Sequence, residues 1–236
     1  MKKLIKNEFF KLKIAKIALS YAFFVIFLLF FYKFTKKNIQ EISYNLIFFV
    51  GFFICLFFGG TISSEIEKGT FKFYLTKPVS RHKIYVSKLL TSYIYSYISV
   101  LIILAFTSLF WGKIDLLYFS KFFTYSIPLY FLSTLIIYFS CRFKNTSFTI
   151  CIGILLFSFS LLLSQLLFEI HFKFIEYTFF PYLDFTLFDD IDNLKLLNSE
   201  FNTSLSLKRG VLIDIIYTFI FYLLGSLSFI RKDIRS

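Results

Sequence analysis

The sequence predicts an all-α membrane protein with six transmembrane helices and both termini in the cytoplasm. Three observations carry that expectation. The 236 residues are 58% hydrophobic and 23% aromatic, with 38 Phe. Their apolar runs last about 16 to 23 residues, the length a helix needs to cross a bilayer. Lys and Arg also collect on alternate connections, as the cytoplasmic side of a membrane protein requires.

The chain opens with "MKKLIKNEFFKLKIAK". Leu4, Ile5, Phe9 and Leu12 share one side of a helix and lysines cover the rest, a pattern suited to the headgroup boundary. A plain topology anchor is the alternative. Ile17–Tyr32 is the first expected span. "FFYKFTKK" follows it where a small-residue cleavage site would stand, so it reads as an uncleaved anchor. The later spans are expected at Tyr44–Ile62, Leu89–Trp111, Phe122–Cys141, Phe148–Phe168 and Val211–Ile230. A barrel is excluded, because its strands alternate apolar and polar residues over about ten positions. In lipid the backbone must satisfy its own hydrogen bonds, so each run is a helix.

With the N-terminus inside, the inner segments hold 17 of the 26 Lys and Arg but four of the 14 acids. The net charge of +12 is therefore a topology signal with some attraction for anionic lipid, and not a nucleic-acid footprint. The outer loop 169–210 mixes aromatics with acids and should fold, with short helices, against the membrane or the spans. Asp214 lies one turn inside the last span, from where it should reach the interface beside Lys208 or Arg209. Cys55, Cys141 and Cys151 lie in or at the ends of spans and read as buried thiols. The whole chain, 1–236, reads as one membrane domain.

Catalytic chemistry finds no support. None of the eight glycines begins Gly-Lys-Ser or Gly-Lys-Thr, so the phosphate-cradling loop of an ATPase is missing. His82 and His171 are too far apart for a zinc peptidase motif. Asp184, Asp189, Asp190 and Asp192 match no calcium-loop spacing and read as a solvated face. The expected catalytic residues, metal sites and bound cofactors are accordingly none.

One polar island stands between the second and third spans, "SSEIEKGTFKFYLTKPVSRHKIYVSK" at 63–88. Glu65 and Glu67 close the second span, and Gly69 permits a sharp turn. Thr70 can cap a short helix over 71–76, and Pro78 stops it. Ser80 can cap the next helix, whose first turns carry Arg81, His82, Lys83 and Lys88. Phe71, Phe73, Tyr74 and Leu75 give the short helix faces suited to a groove on another protein. The alternative is a connection whose aromatics rest on headgroups and whose lysines meet anionic lipid.

"E-x-E-K-G-T" at 65–70, then "P-V-S-R-x-x-I" from Pro78 and "SK" at 87–88, closely resembles the permeases of type-2 ABC exporters. "KNEFFKLK" near the start and "FFPYLDF" at 179–185 are similar to that family's N-terminal helix and outer loop. The resemblance implies a transport subunit whose ATP and Mg sit in a separate ABC ATPase, paired with a second permease copy or paralogue. It implies that Glu65, Glu67, Gly69 and Thr70 lead into a coupling helix at 71–76, containing Phe71, Phe73 and Tyr74. Pro78, Ser80 and Arg81 would lead out of it. It also places a path along the second and fifth spans. Gly51, Cys55 and Gly59 form a small face in one; Gly153, Ser160, Ser164 and Gln165 form a face in the other. Helix packing is the alternative for both. The cargo would be lipid-like or amphipathic, such as a peptide antibiotic. A non-transporting scaffold or sensor that docks a cytoplasmic partner is the alternative function.

Overall fold

The computed structural model describes residues 2–11, 19–23, 26–27, 30, 39–70, 80–111, 116–170, 175–183, 191–201 and 203–231. They are helical, with no strand among the described residues. The helices are α1 (Lys2–Lys11), α2 (Ile39–Phe58), α3 (Ser63–Glu67), α4 (Arg81–Trp111), α5 (Leu116–Arg142) and α6 (Thr146–Glu169), then α7 (Ile191–Phe201) and α8 (Leu207–Arg231). Two 3-10 turns, Ile175–Tyr177 and Phe180–Tyr182, stand between α6 and α7. Among the described residues, three stretches are long and apolar enough to cross a membrane: Phe49–Glu67, Arg81–Ala105 and Leu207–Arg231.

The long helices begin before the expected spans and α5, α6 and α8 end just beyond them, whereas α4 ends at the expected Trp111 and α2 stops at Phe58, short of the expected Ile62. Hydropathy marks the apolar part of a helix, whereas its first and last turns carry polar side chains that cap it. Thus α4 runs unbroken from Arg81, carrying the expected helix after Ser80 straight into the third span. The expected helix over 71–76 lies outside the described residues. Of the first expected span, residues 19–23, 26–27 and 30 are helical. Phe27 packs edge-on against Phe49 of α2, ring centres 4.7 Å apart.

At the centre stands α5, packed by α2, α4, α6 and α8. Its residues 131–137 are all buried. Burial on every side leaves hydroxyls no water, so they find partners across helices. The Tyr93 hydroxyl lies 2.6 Å from Thr134 Oγ1, and Ser96 lies 3.4 Å from Ser133. Along α4, Thr91, Ser96 and Ser99 donate back to the carbonyls of Ser87, Ser92 and Tyr95. Such side chains let helices approach closely without stranding a polar atom.

The stretch 169–210 is folded, as expected, where it is described. Ile175, Tyr182 and Leu205 bury against Ile213 of α8. Asn198 of α7 ties the chain leading into α8, accepting from Leu205 N (2.9 Å) and donating to Leu205 O (3.1 Å). This cap and the polar island lie at opposite ends of α8. Cys55 and Cys141 are buried, but Cys151 is exposed, contrary to the expectation for all three. It occupies the outward side of α6, which neighbouring helices leave uncovered.

Candidate functional site

The polar island opens on α3, a five-residue helix that borrows its cap from elsewhere. Helix N-termini leave backbone N–H groups without intrahelical acceptors. Here Ser140 of α5 supplies one hydroxyl oxygen, which accepts from both Ile62 N and Ser63 N at 3.0 Å. At the other end Gly69 turns the chain at φ +67°, a conformation that only glycine adopts cheaply. The Thr70 hydroxyl donates back to Glu65 O at 3.3 Å, closing α3 from behind. Phe71, Phe73, Tyr74 and Pro78 lie outside the described residues.

The two glutamates of α3 hold different helices. Glu67 Oε2 accepts from Thr146 Oγ1 (2.6 Å) and Thr146 N (3.4 Å), at the first turn of α6. Asn145 completes that turn by accepting from Phe148 N. Glu65 turns inward to Lys88 of α4, with Nζ 2.9 Å from Oε2. Lys88 is 1% exposed, a rare state for a lysine. It also donates to Glu8 of α1 (3.0 Å) and to Thr61 O (3.2 Å). Its ammonium group thus lies among three oxygens, two of them from carboxylates.

On the far side of the gap, Ser80 accepts from Lys83 N at 3.4 Å and caps α4, in the position sequence assigns to it. Arg81 reaches the end of α8 and donates to Ile230 O at 2.9 Å, satisfying a carbonyl of the last turn. His82 meets the Tyr222 hydroxyl of α8 at 2.9 Å. Between Ser63 and Lys88 the island therefore grips α1, α4, α5, α6 and α8.

Two participants escaped sequence reading. Lys88 stands in sequence with Arg81, His82 and Lys83 on the turns after Ser80, yet it is buried. Its signal is position: four residues from Ile84 and four from Ser92, it lies on the inward stripe of α4. Glu8 sits among Leu4, Ile5 and Leu12, an acid inside the apolar stripe of a basic helix. Each is a charge on the wrong face, and each marks the other.

The small faces of the expected path meet one another. A side chain at Gly51 would run into the Phe157 ring, and one at Gly153 would meet Ile136 and, at 3.6 Å, Cys55. One at Gly59 would lie 3.0 Å from Ile150. Ser160 is buried and donates to Phe157 O (2.7 Å), and Ser164 is buried nearby on α6. The Gln165 side chain lies outside the described residues. These faces let α2 and α6 pack in close contact.

Asp214 requires correction. It does not reach the interface beside Lys208 or Arg209. It is 0% exposed, and among the described residues neither carboxyl oxygen has a hydrogen-bond partner. Arg209 instead pairs with Glu176 of the first 3-10 turn, which also accepts from Ser204 N and Ser204 Oγ. The reason is rotational: Gly210, Ile213 and Asp214 share the inward face of α8, whereas Arg209 stands outside it. The Tyr182 hydroxyl, donating to Glu176 O, is held above the usual phenol range first by burial and then by Glu176. Among the described residues, no three His, Cys, Asp or Glu side chains gather to hold a metal.

No curated protein matches the sequence. A family described as "Protein of unknown function (DUF2705)" matches residues 31–235, nearly the whole length and all of the helices from α2 to α8. The chain belongs to that family.

Proposed function

We propose that this protein is the permease subunit of an ATP-driven exporter, moved through residues 71–79 by a separate ATPase subunit. In this reading six helices cross the cytoplasmic membrane of a bacterium, and the island lies inside the cell. One observation supports it above the rest. Both flanks of 71–79 are anchored, on different helices: Glu65 to Lys88, which also holds Glu8, Glu67 to Thr146, and Arg81 to Ile230 O. A push on the segment between those anchors would reach α1, α4, α6 and α8 together. A loose connection resting on lipid would need none of these ties.

The flanks are also where the resemblance to type-2 ABC permeases is most specific. With no phosphate-cradling loop in the chain, the energy would come from that partner. The working unit would be two permeases and two ATPases, and an amphipathic or lipid-like compound is the cargo class that apolar helices suit.

Gentle extraction from the native membrane tests the reading. The protein should bring an ATPase with it, and Gly69→Pro should abolish ATP-dependent efflux while the helical protein persists. Recovery with a different cytoplasmic partner and no ATPase would favour the scaffold or sensor instead.

A further inference from the structure

At the end of α8 remote from the island, a carboxyl group is buried without a partner. Asp214 has no exposed surface, and its two oxygens accept nothing among the described residues. Above it lie the 3-10 turns of residues 175–183, whose Ile175 and Tyr182 bury with Ile213. Glu176 staples that cap to α8 through Arg209 and to the preceding chain through Ser204. The nearest cation by sequence, Arg209, is thus engaged elsewhere.

An isolated carboxylate in such surroundings is too costly to persist; a carboxyl there is neutral unless a cation joins it. Among the described residues the groups around it offer none, and Lys195 of α7, whose Leu194 joins the same cluster, is exposed. From the cap come Tyr182 and Glu176, a phenol and an acid; from α8 itself, Tyr217 and the engaged Arg209. Over its described inner residues, 126–137, α5 brings no charge and one phenol, Tyr130. The half of α4 toward this end, 97–105, brings only Tyr97.

We propose that Asp214 is a proton-binding site sealed by the 175–183 cap. With the cap closed the carboxyl keeps its O–H bond. When the cap lifts, water enters, the O–H bond breaks, and the proton passes to water to leave a hydrated carboxylate. Cap opening and proton release are then one linked equilibrium. A higher pH favours the open state, by about tenfold per pH unit for one proton. The site stands independently of the export reading, because it needs neither an ATPase nor a cargo.

Two measurements on the full chain in lipid nanodiscs test it. Carboxyl carbon-13 spectra of aspartate-labelled protein should show one of the seven Asp protonated at neutral pH. That signal should vanish in Asp214→Asn and move to labelled glutamate in Asp214→Glu, which serves if the Asn variant misfolds. Ionisation of all seven at neutral pH overturns the proposal. In a Cys151→Ser background, Leu183→Cys places a thiol on a buried cap position. Its reaction with a water-soluble maleimide should steepen with pH beyond the thiol's own ionisation, by up to about tenfold per unit. Asp214→Asn should remove the excess. An equal slope in both proteins overturns the linkage.

Discussion

The two ends of α8 handle buried charge in opposite ways. At the island end, Lys88 is enclosed by two carboxylates and a carbonyl, and the polar groups around it are tied to neighbouring helices. At the cap end, Asp214 is enclosed just as fully and has no partner among the described residues. A matched buried charge fastens the elements that supply its partners. An unmatched one fastens nothing and is left to exchange a proton. The difference separates a joint from a titrating group, and substitutions should expose it.

The largest effect should come from Lys88→Met, which leaves Glu8 and Glu65 buried against each other. Breaking a buried pair on one side costs about 3–5 kcal/mol. Denaturation in detergent should show that loss. Asp214→Asn, which strips no partner, should leave the midpoint unchanged or higher, and equal losses at the two sites would erase the contrast.

Next comes Gly225→Ala on α8, whose new methyl would run into the Tyr85 hydroxyl. Overpacking of this kind costs about 1–3 kcal/mol. The Tyr85 hydroxyl is buried without a hydrogen bond among the described residues, so Tyr85→Phe alone should be neutral or stabilising. The double variant should recover most of the loss. Additive behaviour would show that the two residues do not press on each other.

Glu67→Ala should cost about 1 kcal/mol, the usual worth of a helix cap, by freeing the first turn of α6. Hydrogen exchange at Thr146 should rise with it. Smallest is Arg209→Ala, whose partly exposed pair with Glu176 contributes about 0–1 kcal/mol. It should scarcely move the midpoint, yet loosen the cap measurably in the Leu183→Cys assay.

Much of the helical plan was legible because apolar runs of spanning length dictate helices in lipid. Capping chemistry was legible for the same local reason: Ser80 caps α4, and Gly69 takes the positive φ that its turn requires. The site was legible only in outline. Glu65 and Glu67 stand two residues apart and look alike in sequence, yet one points inward to Lys88 and the other along the surface to Thr146. Cys151 resembles Cys55 in its surroundings but faces outward.

By itself, the sequence determined where helices form, where they stop and which stretch stays polar. Those properties follow from hydrophobicity and backbone chemistry within a few residues. Only the tertiary structure decided which charges meet. Lys88 and Glu8 are 80 residues apart, and Arg209 chose Glu176 over its near neighbour Asp214. Such pairings depend on the rotation of one helix against another, and no local preference encodes a rotation.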